Sequence, residues 1–297
     1  MTTGTPPFDA WLAAANNSHR RLAGVVAPLT AEQVAEPSYA SEWSIAQVLA
    51  HLGSGAEIFT LFLHAGIRGE PAPGVDEFAP VWEHWNAKMP KDKVADALVA
   101  DGAFLEQLDA LDEQERRSWR LSMFGADQEL SDLLRLRLGE HALHTWDVVV
   151  TRDMGATVAH DAVELLIDTL DQLVPRVGKP TEQPLRVQIT THDPTRRFLL
   201  NANGEGANLQ MLEDPARPEG EKALQMPAEA FIRLIYGRLD PLHTPMLQSN
   251  DVDIDGLRQI FSVSDPYTPG GPSCDFASPP VTSRAVLPPV RSSSIPG

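Results

Sequence analysis

Glu140 and His144 are a carboxylate and an imidazole four residues apart. On a helix, this spacing places two side chains on one face, with their Cβ atoms about 5–6 Å apart. Side chains at that separation can bind one divalent metal ion. Residues 130–151 contain no proline and are rich in leucine and valine, which predicts a helix. The pair is therefore a candidate for two ligands of a metal site.

A narrow stripe along this predicted helix contains both residues. At about 100° per residue the stripe consists of the following side chains: Leu133, Arg137, Glu140, His144 and Asp147. Apolar residues frame it, with Leu136 and Leu143 on one side and Val148 on the other. A polar stripe framed in this way predicts a polar site inside a helical bundle rather than a solvated face.

His51 is the candidate for a third ligand. Ser44 and Gln47 have the S-x-x-Q spacing of a capping box, which predicts a helix that starts at Ser44. His51 lies at the edge of the apolar stripe of that helix, so its imidazole can reach the interior of a bundle.

The residue spacing leaves other interpretations open. A single histidine beside an apolar face is usually a core or rim histidine. A Glu-x-x-x-His pair is common on helix surfaces, where it weakly stabilises the helix. His141 also lies on a neighbouring row of the helix and is an alternative to His144.

Three segments, residues 43–57, 81–86 and 137–147, resemble the mycothiol-dependent maleylpyruvate isomerase family of actinobacteria. This family is a branch of the DinB-like metal-binding helical bundles, and a fainter resemblance continues to Phe261. The positions that match His51, Glu140 and His144 hold a zinc ion in that family. The resemblance implies an α+β protein, with an N-terminal DinB-like four-helix bundle and a small C-terminal α/β domain that is similar to sterol-carrier folds.

The resemblance also implies a reaction. Three protein ligands leave a fourth position on zinc, as in catalytic sites, and a metal deprotonates a thiol at neutral pH. In the family the thiol is that of mycothiol, and no cysteine lies near the motif here. The thiolate would add to the cis double bond of maleylpyruvate, give an enolate, and leave after rotation to yield fumarylpyruvate.

A dicarboxylate substrate and its enolate need positive charge in the protein. Arginine suits carboxylates because its planar fork binds them with two hydrogen bonds. Arg238, in a Gly-Arg turn after a predicted helix, is the first candidate, and Arg137, one turn before Glu140, is the second. The alternatives are a charge interaction at a helix end for Arg238 and a buried ion pair for Arg137. Asp147 is either a carboxylate that orients His144 or a surface carboxylate.

Three functions are consistent with these residues. The first is a zinc- and mycothiol-dependent isomerase. The second is a mycothiol S-transferase, a detoxification enzyme that takes a small electrophilic substrate. The third is a metal- or thiol-binding module without catalysis. The ligand set favours an enzyme because it leaves an open position for a substrate. Another divalent metal would serve the same site.

Composition excludes some classes of protein. The chain has 297 residues and a formal net charge of −17, which disfavours nucleic-acid binding because phosphates need a basic patch. The single cysteine, Cys274, excludes an intramolecular disulfide and fits a reducing compartment. We find no signal pattern at the N-terminus and no apolar run near the ~20 residues that span a membrane. A cytoplasmic monomer is expected.

The hydrophobic pattern predicts helices first and strands later. Four long helices are expected, at residues 8–27, 44–67, 92–111 and 130–151. A crossing loop (residues 69–80), a short helix (81–88) and an irregular connection (112–129) are expected between them. A further helix, 160–174, should end at Pro175.

A second domain is expected after this helical part. Alternating apolar residues predict strands around residues 185–189, 198–200 and 209–211, and helices follow at 228–236 and 254–261. The predicted domains are residues 1–178 for the bundle and 181–264 for the α/β domain. Residues 265–297 are rich in proline and serine, which predicts a flexible tail.

Overall fold

A computed structural model of the protein describes residues 6–40, 43–123, 125–213 and 222–262. The predicted tail, with Cys274, lies outside the described residues. The helices are α1 Phe8–Val26, α2 Ala31–Val34, α3 Ile45–Arg68, α4 Val75–Ala87, α5 Pro90–Asp109, α6 Glu113–Ser118, α7 Leu130–Val149, α8 His160–Leu166, α9 Leu170–Val177, α10 Ala228–Ile235 and α11 Ile254–Ile260. The strands are β1 Leu121–Met123, β2 Ala126–Gln128, β3 Leu185–His192, β4 Arg197–Asn203, β5 Gly206–Met211, β6 Lys222–Pro227 and β7 Gln248–Asn250.

The N-terminal part is helical, and its four longest helices, α1, α3, α5 and α7, pack against one another. The predicted start of α3 is confirmed. Ser44 Oγ accepts a hydrogen bond from the Gln47 amide at 3.3 Å, and Gln47 Oε1 accepts one from the Ser44 amide at 2.8 Å. This cap fixes the first turn of the helix that carries His51. Helix α3 is apolar and long enough to cross a membrane, but 78% of its most apolar window is buried inside the protein, as expected for a core helix.

Two connections between these helices are more ordered than the sequence predicts. Helix α4 begins at Val75, inside the predicted loop, and continues through Pro80. The proline lacks one backbone donor, but the buried Phe78 and Trp82 on either side hold the helix against the core. Residues 112–129 contain α6 and the antiparallel pair β1–β2, which are too short to produce a clear period in the sequence.

The helix predicted for residues 160–174 is divided. A 3₁₀ turn at Ile167–Thr169 separates α8 from α9, and α9 continues through Pro175 to Val177. The prediction that Pro175 ends the helix was wrong, because one missing donor near the end of a helix does not prevent two further residues from remaining helical.

The C-terminal part contains a five-stranded sheet with the order β5-β4-β3-β6-β7. Strands β3 and β6 are parallel, and the other neighbours are antiparallel. The three predicted strands, now β3, β4 and β5, are confirmed. Strands β6 and β7 were not predicted. Every residue of β7 is exposed, so that strand shows no alternation of apolar and polar residues.

One hydrophobic core extends through both parts. It contains Leu138 and Leu143 of α7 together with Ile189 of β3 and Phe231 of α10. Gly139 allows a close approach between the two parts, because a Cβ atom at this position would lie 2.6 Å from the hydroxyl oxygen of Tyr236. The end of α10 is thereby brought next to Glu140.

Candidate metal centre

His51 on α3 and Glu140 and His144 on α7 form one cluster of side chains. His51 Nε2 lies 3.2 Å from Glu140 Oε2, and His144 Nε2 lies 3.7 Å from the same oxygen. Both imidazoles are buried, with 3% and 4% of the side chain exposed, and the carboxylate is 12% exposed. The structure thus brings together three residues from two helices. His51 and Glu140 are 89 positions apart in sequence.

The donor atoms suit a tetrahedral metal ion. Bonds of about 2.1 Å in a tetrahedron place neighbouring donors about 3.4 Å apart, and the two distances above are 3.2 and 3.7 Å. One donor from each residue lies within 4.8 Å of the other two. Two imidazoles and a carboxylate are also a ligand set that zinc accepts. We conclude that these side chains fit one divalent ion.

Asp147 lies directly behind His144. Its Oδ2 is 2.9 Å from His144 Nδ1. A carboxylate oxygen accepts hydrogen bonds, so Nδ1 carries the proton and donates a hydrogen bond to Asp147. The other nitrogen, Nε2, then directs its lone pair toward Glu140. Asp147 is fully buried, which excludes the surface carboxylate considered from the sequence.

Arg238 reaches the cluster from the loop after α10. Gly237 has a left-handed backbone with φ 72°, and this turn directs the arginine back toward α7. Arg238 Nε and Nη2 both donate to the Asp147 carboxylate at 2.9 Å, and Nη1 donates to the Tyr236 carbonyl at 2.9 Å. Its Nη2 is also 3.4 Å from His144 Nδ1, but both atoms carry protons, so this is a close approach rather than a hydrogen bond.

The charge of Asp147 is maintained by these contacts. Burial raises the pKa of the carboxyl, but the charge of Arg238 and the contact with His144 outweigh burial and hold the pKa below its ordinary value. Asp147 is therefore an anion that can hold the His144 imidazole in one orientation.

We predict that Asp147→Asn weakens zinc binding about 10–100-fold, because the loss of a carboxylate that orients a histidine ligand has this effect. The affinity is measured by competition with a coloured chelator. Asp161→Asn is the control, since Asp161 is paired with Arg21 away from the cluster, and its zinc affinity should equal that of the parent. Equal affinities for all three proteins would contradict the prediction.

A pocket opens beside His51. Its empty space is about 420 Å³, which includes solvent at the mouth. The indoles of Trp43, Trp82 and Trp85 line it, and exposed Gln47 and Asn86 lie at the mouth. The ring centroid of Trp43 is also 5.2 Å from that of His51 and 5.9 Å from that of His144. The cluster thus has an aromatic wall and a route to solvent.

A second polar cluster lies deeper between α1, α5 and α7. Asp101 Oδ2 is 2.8 Å from His19 Nδ1 and 3.1 Å from His141 Nε2, and Asp101 Oδ1 is 2.5 Å from Arg137 Nη2. The same arginine nitrogen donates to the Leu52 carbonyl at 3.0 Å. Arg137 is only 2% exposed, so it forms the buried ion pair considered from the sequence and does not face the pocket.

The second cluster does not suit a metal ion, although it has two histidines and a carboxylate. A guanidinium already neutralises Asp101, and a divalent cation next to it would be repelled. Burial raises the pKa of Asp101, but the contacts with His141 and Arg137 outweigh burial, and the pKa lies well below its ordinary value. His141, the alternative to His144, belongs to this cluster.

Sequence analysis missed His19 and Asp101. His19 is 82 residues from Asp101, and no local spacing connects them. The available signal was the position of Asp101 on the buried stripe of α5, among Ala97, Phe104 and Leu108, because a carboxylate on an apolar stripe needs a partner.

The chain is an α+β protein with a candidate metal site. Its helical part brings two histidines and a glutamate together and is joined to a mixed sheet. Residues 15–149 match the family model of the mycothiol maleylpyruvate isomerase N-terminal domain. The resemblance stated from the sequence is confirmed.

Solved structures extend the likeness beyond this domain. A crystal structure of the mycothiol-dependent maleylpyruvate isomerase has a TM-score of 0.57 at 16% identity, and covers 78% of this chain and 90% of its own. A histidine-to-alanine mutant of the isomerase has the same score and coverage at 15% identity. These likenesses show a shared fold, with a helical N-terminal part and a sheet in the C-terminal part. No curated protein matches the chain in sequence.

Proposed function

We propose that the protein is an enzyme that binds one zinc ion, or another divalent metal, through His51, Glu140 and His144 and uses the thiol of mycothiol as its nucleophile. The observation that carries this proposal is the separation of the three donors, 3.2 and 3.7 Å about one carboxylate oxygen, beside a pocket that reaches His51. The matched family and the solved isomerases, which are described as mycothiol-dependent, support the choice of thiol.

A divalent metal at these residues would supply an open position for a thiol and would lower its pKa. Asp147 accepts a hydrogen bond from Nδ1–H of His144 and keeps the imidazole ring in its metal-binding orientation. Arg238 holds Asp147 with two hydrogen bonds and is a positioning residue in this arrangement. The indole of Trp43 excludes water from one side of both imidazoles. These residues keep the nucleophile in a dry, oriented site.

Binding of a substrate carboxylate by Arg238 stays a prediction, and it would require the guanidinium to give up its contact with Asp147. Arg137 is proposed to act at a distance, since its bond to the Leu52 carbonyl fixes the backbone next to His51. Neither assignment changes the proposed metal ligands. The DinB-like bundle and the sterol-carrier-like domain, like the domain limits, also stay predictions. We also propose, from the sequence alone, that the protein is a cytoplasmic monomer.

The two catalytic candidates, isomerase and S-transferase, share the first step. The mycothiol thiolate forms a C–S bond with an electrophilic carbon. In the isomerase the bond breaks again after rotation, whereas in the S-transferase the thioether is the product. A binding module without catalysis is the remaining alternative.

The proposal is tested with zinc-loaded protein and with protein stripped by a chelator. We expect consumption or cycling of mycothiol with an electrophile for the loaded form, and the uncatalysed rate for the stripped form. Formation of fumarylpyruvate from maleylpyruvate would identify the isomerase, and loss of free thiol without isomerisation would identify the S-transferase. Zinc binding with neither reaction would overturn the catalytic proposal.

A further inference from the structure

The pocket beside His51 is lined by neutral groups. Apart from His51, its described lining residues are indoles, amides, a hydroxyl and an alanine. Its mouth has the amides of Gln47 and Asn86, and its walls are the three tryptophans. No lysine or arginine of the described chain lines it.

Two positive charges close to the pocket wall and to the cluster already have partners. Arg238 holds Asp147 with two nitrogens and the Tyr236 carbonyl with the third. Lys88 lies behind the wall, with Nζ 4.8 Å from the centroid of the Trp85 ring and 2.5 Å from Asp96 Oδ2. Neither cation can bind a carboxylate in the pocket without leaving its own anion.

The surroundings of the pocket are also acidic. Glu57 Oε1 accepts a hydrogen bond from the indole N–H of Trp85 at 2.9 Å on the far side of the wall, and Glu140 Oε2 lies 3.2 Å from Nε2 of His51, which lines the pocket. A divalent metal at the cluster would have its charge balanced by Glu140 and the mycothiol thiolate. A substrate with two carboxylates would therefore lose its hydration in the pocket and gain no paired cation, which is unfavourable. An uncharged, flat substrate would instead bury its surface against the indoles.

We infer that the electrophile is uncharged and belongs to the neutral activated alkenes, such as esters or ketones conjugated to a double bond. This inference rests on the proposed function and selects among its substrates. The thiolate sulfur forms a C–S bond with the β-carbon, and the π electron pair moves to the carbonyl oxygen. A proton from water then adds to the α-carbon, so that thiol and alkene combine into one thioether.

The test compares two cis alkenes that differ mainly in charge, dimethyl maleate and maleylpyruvate. Each is mixed with mycothiol and zinc-loaded protein, and conjugation and isomerisation are both followed by NMR. Each kcat/KM is divided by the rate constant of the same reaction without protein, because the ester is the more reactive electrophile. We expect the acceleration to be at least about tenfold larger for dimethyl maleate, since one well-placed charge contact is worth about that factor.

An equal or larger acceleration of maleylpyruvate would overturn the inference and leave the proposed function intact. Acceleration of neither alkene by protein that contains zinc would overturn the proposed function, and the inference with it. The two failures are therefore distinguishable.

A variant adds the missing charge. Asn86→Arg places a guanidinium at the mouth and should lower the KM for maleylpyruvate about two- to fivefold, the range of one partly exposed ion pair. Asn86→Glu places the opposite charge at the same position and should raise the KM for maleylpyruvate by a similar factor. A fall in KM with Glu as large as with Arg would contradict the role assigned to charge.

Discussion

His144→Ala is expected to abolish the binding of zinc at stoichiometric concentrations and, with it, thiol-dependent turnover. The loss in affinity should exceed about 100-fold, because removal of a partner that merely orients a ligand already costs roughly 10–100-fold. His144 is buried and its Nε2 lies 3.7 Å from Glu140 Oε2, so alanine removes one of the three proposed metal donors. Elemental analysis of untagged protein measures the result, and circular dichroism monitors the helices.

The matched control is His141→Gln, which changes a histidine on the same helix in the other cluster. Glutamine keeps a polar group beside Ser18 and Asp101, and zinc content should remain at about one ion per chain. Loss of zinc from this control, with zinc retained in His144→Ala, would place the metal at His19, Asp101 and His141. Equal zinc in all three proteins would show that the ligands lie elsewhere.

The second large effect concerns stability. Asp101→Asn is expected to lower the free energy of unfolding by about 3–5 kcal/mol, because it leaves the buried Arg137 without its counter-ion. Domains are stable by only about 5–15 kcal/mol, so the change should be evident in denaturant unfolding curves at pH 7. Combining it with Arg137→Met should cost less than the sum of the two single changes, since the double variant buries no unpaired charge.

The effect should depend on pH in a defined direction. The folded pKa of Asp101 lies well below its ordinary value, so its stabilisation is fully present above the unfolded pKa of about 3.9. It is lost as the pH falls through the folded pKa. The difference between parent and Asp101→Asn should therefore shrink below about pH 4. A difference that stays constant down to acid unfolding would exclude the ion pair as its source.

The sequence predicted features that depend on local spacing. The Ser44–Gln47 cap and the single face shared by Glu140 and His144 both follow from helix geometry, and the structure has both. The approach of His51 to that face was an expectation from the apolar stripe, and the resemblance to a family made it specific.

Features that depend on contacts between distant elements were not predictable in this way. Asp101 meets Arg137 and His19 through the packing of three helices, and no period in the sequence encodes that meeting. Arg238 was expected to face a substrate, but its guanidinium holds Asp147, which lies 91 positions earlier. Strand β7 escaped prediction because it is paired on one edge and exposed along its length.

The bond between Arg238 and Asp147 links two parts of the chain that the sequence separates. Asp147 lies near the end of the matched domain, and its counter-ion Arg238 lies between α10 and β7. Residues 15–149 alone would thus lack the counter-ion of the carboxylate behind a proposed metal ligand. Docking of the C-terminal part and binding of metal then share one thermodynamic linkage, in which each favours the other. Metal binding would therefore stabilise the contact between the N-terminal and C-terminal parts of the chain.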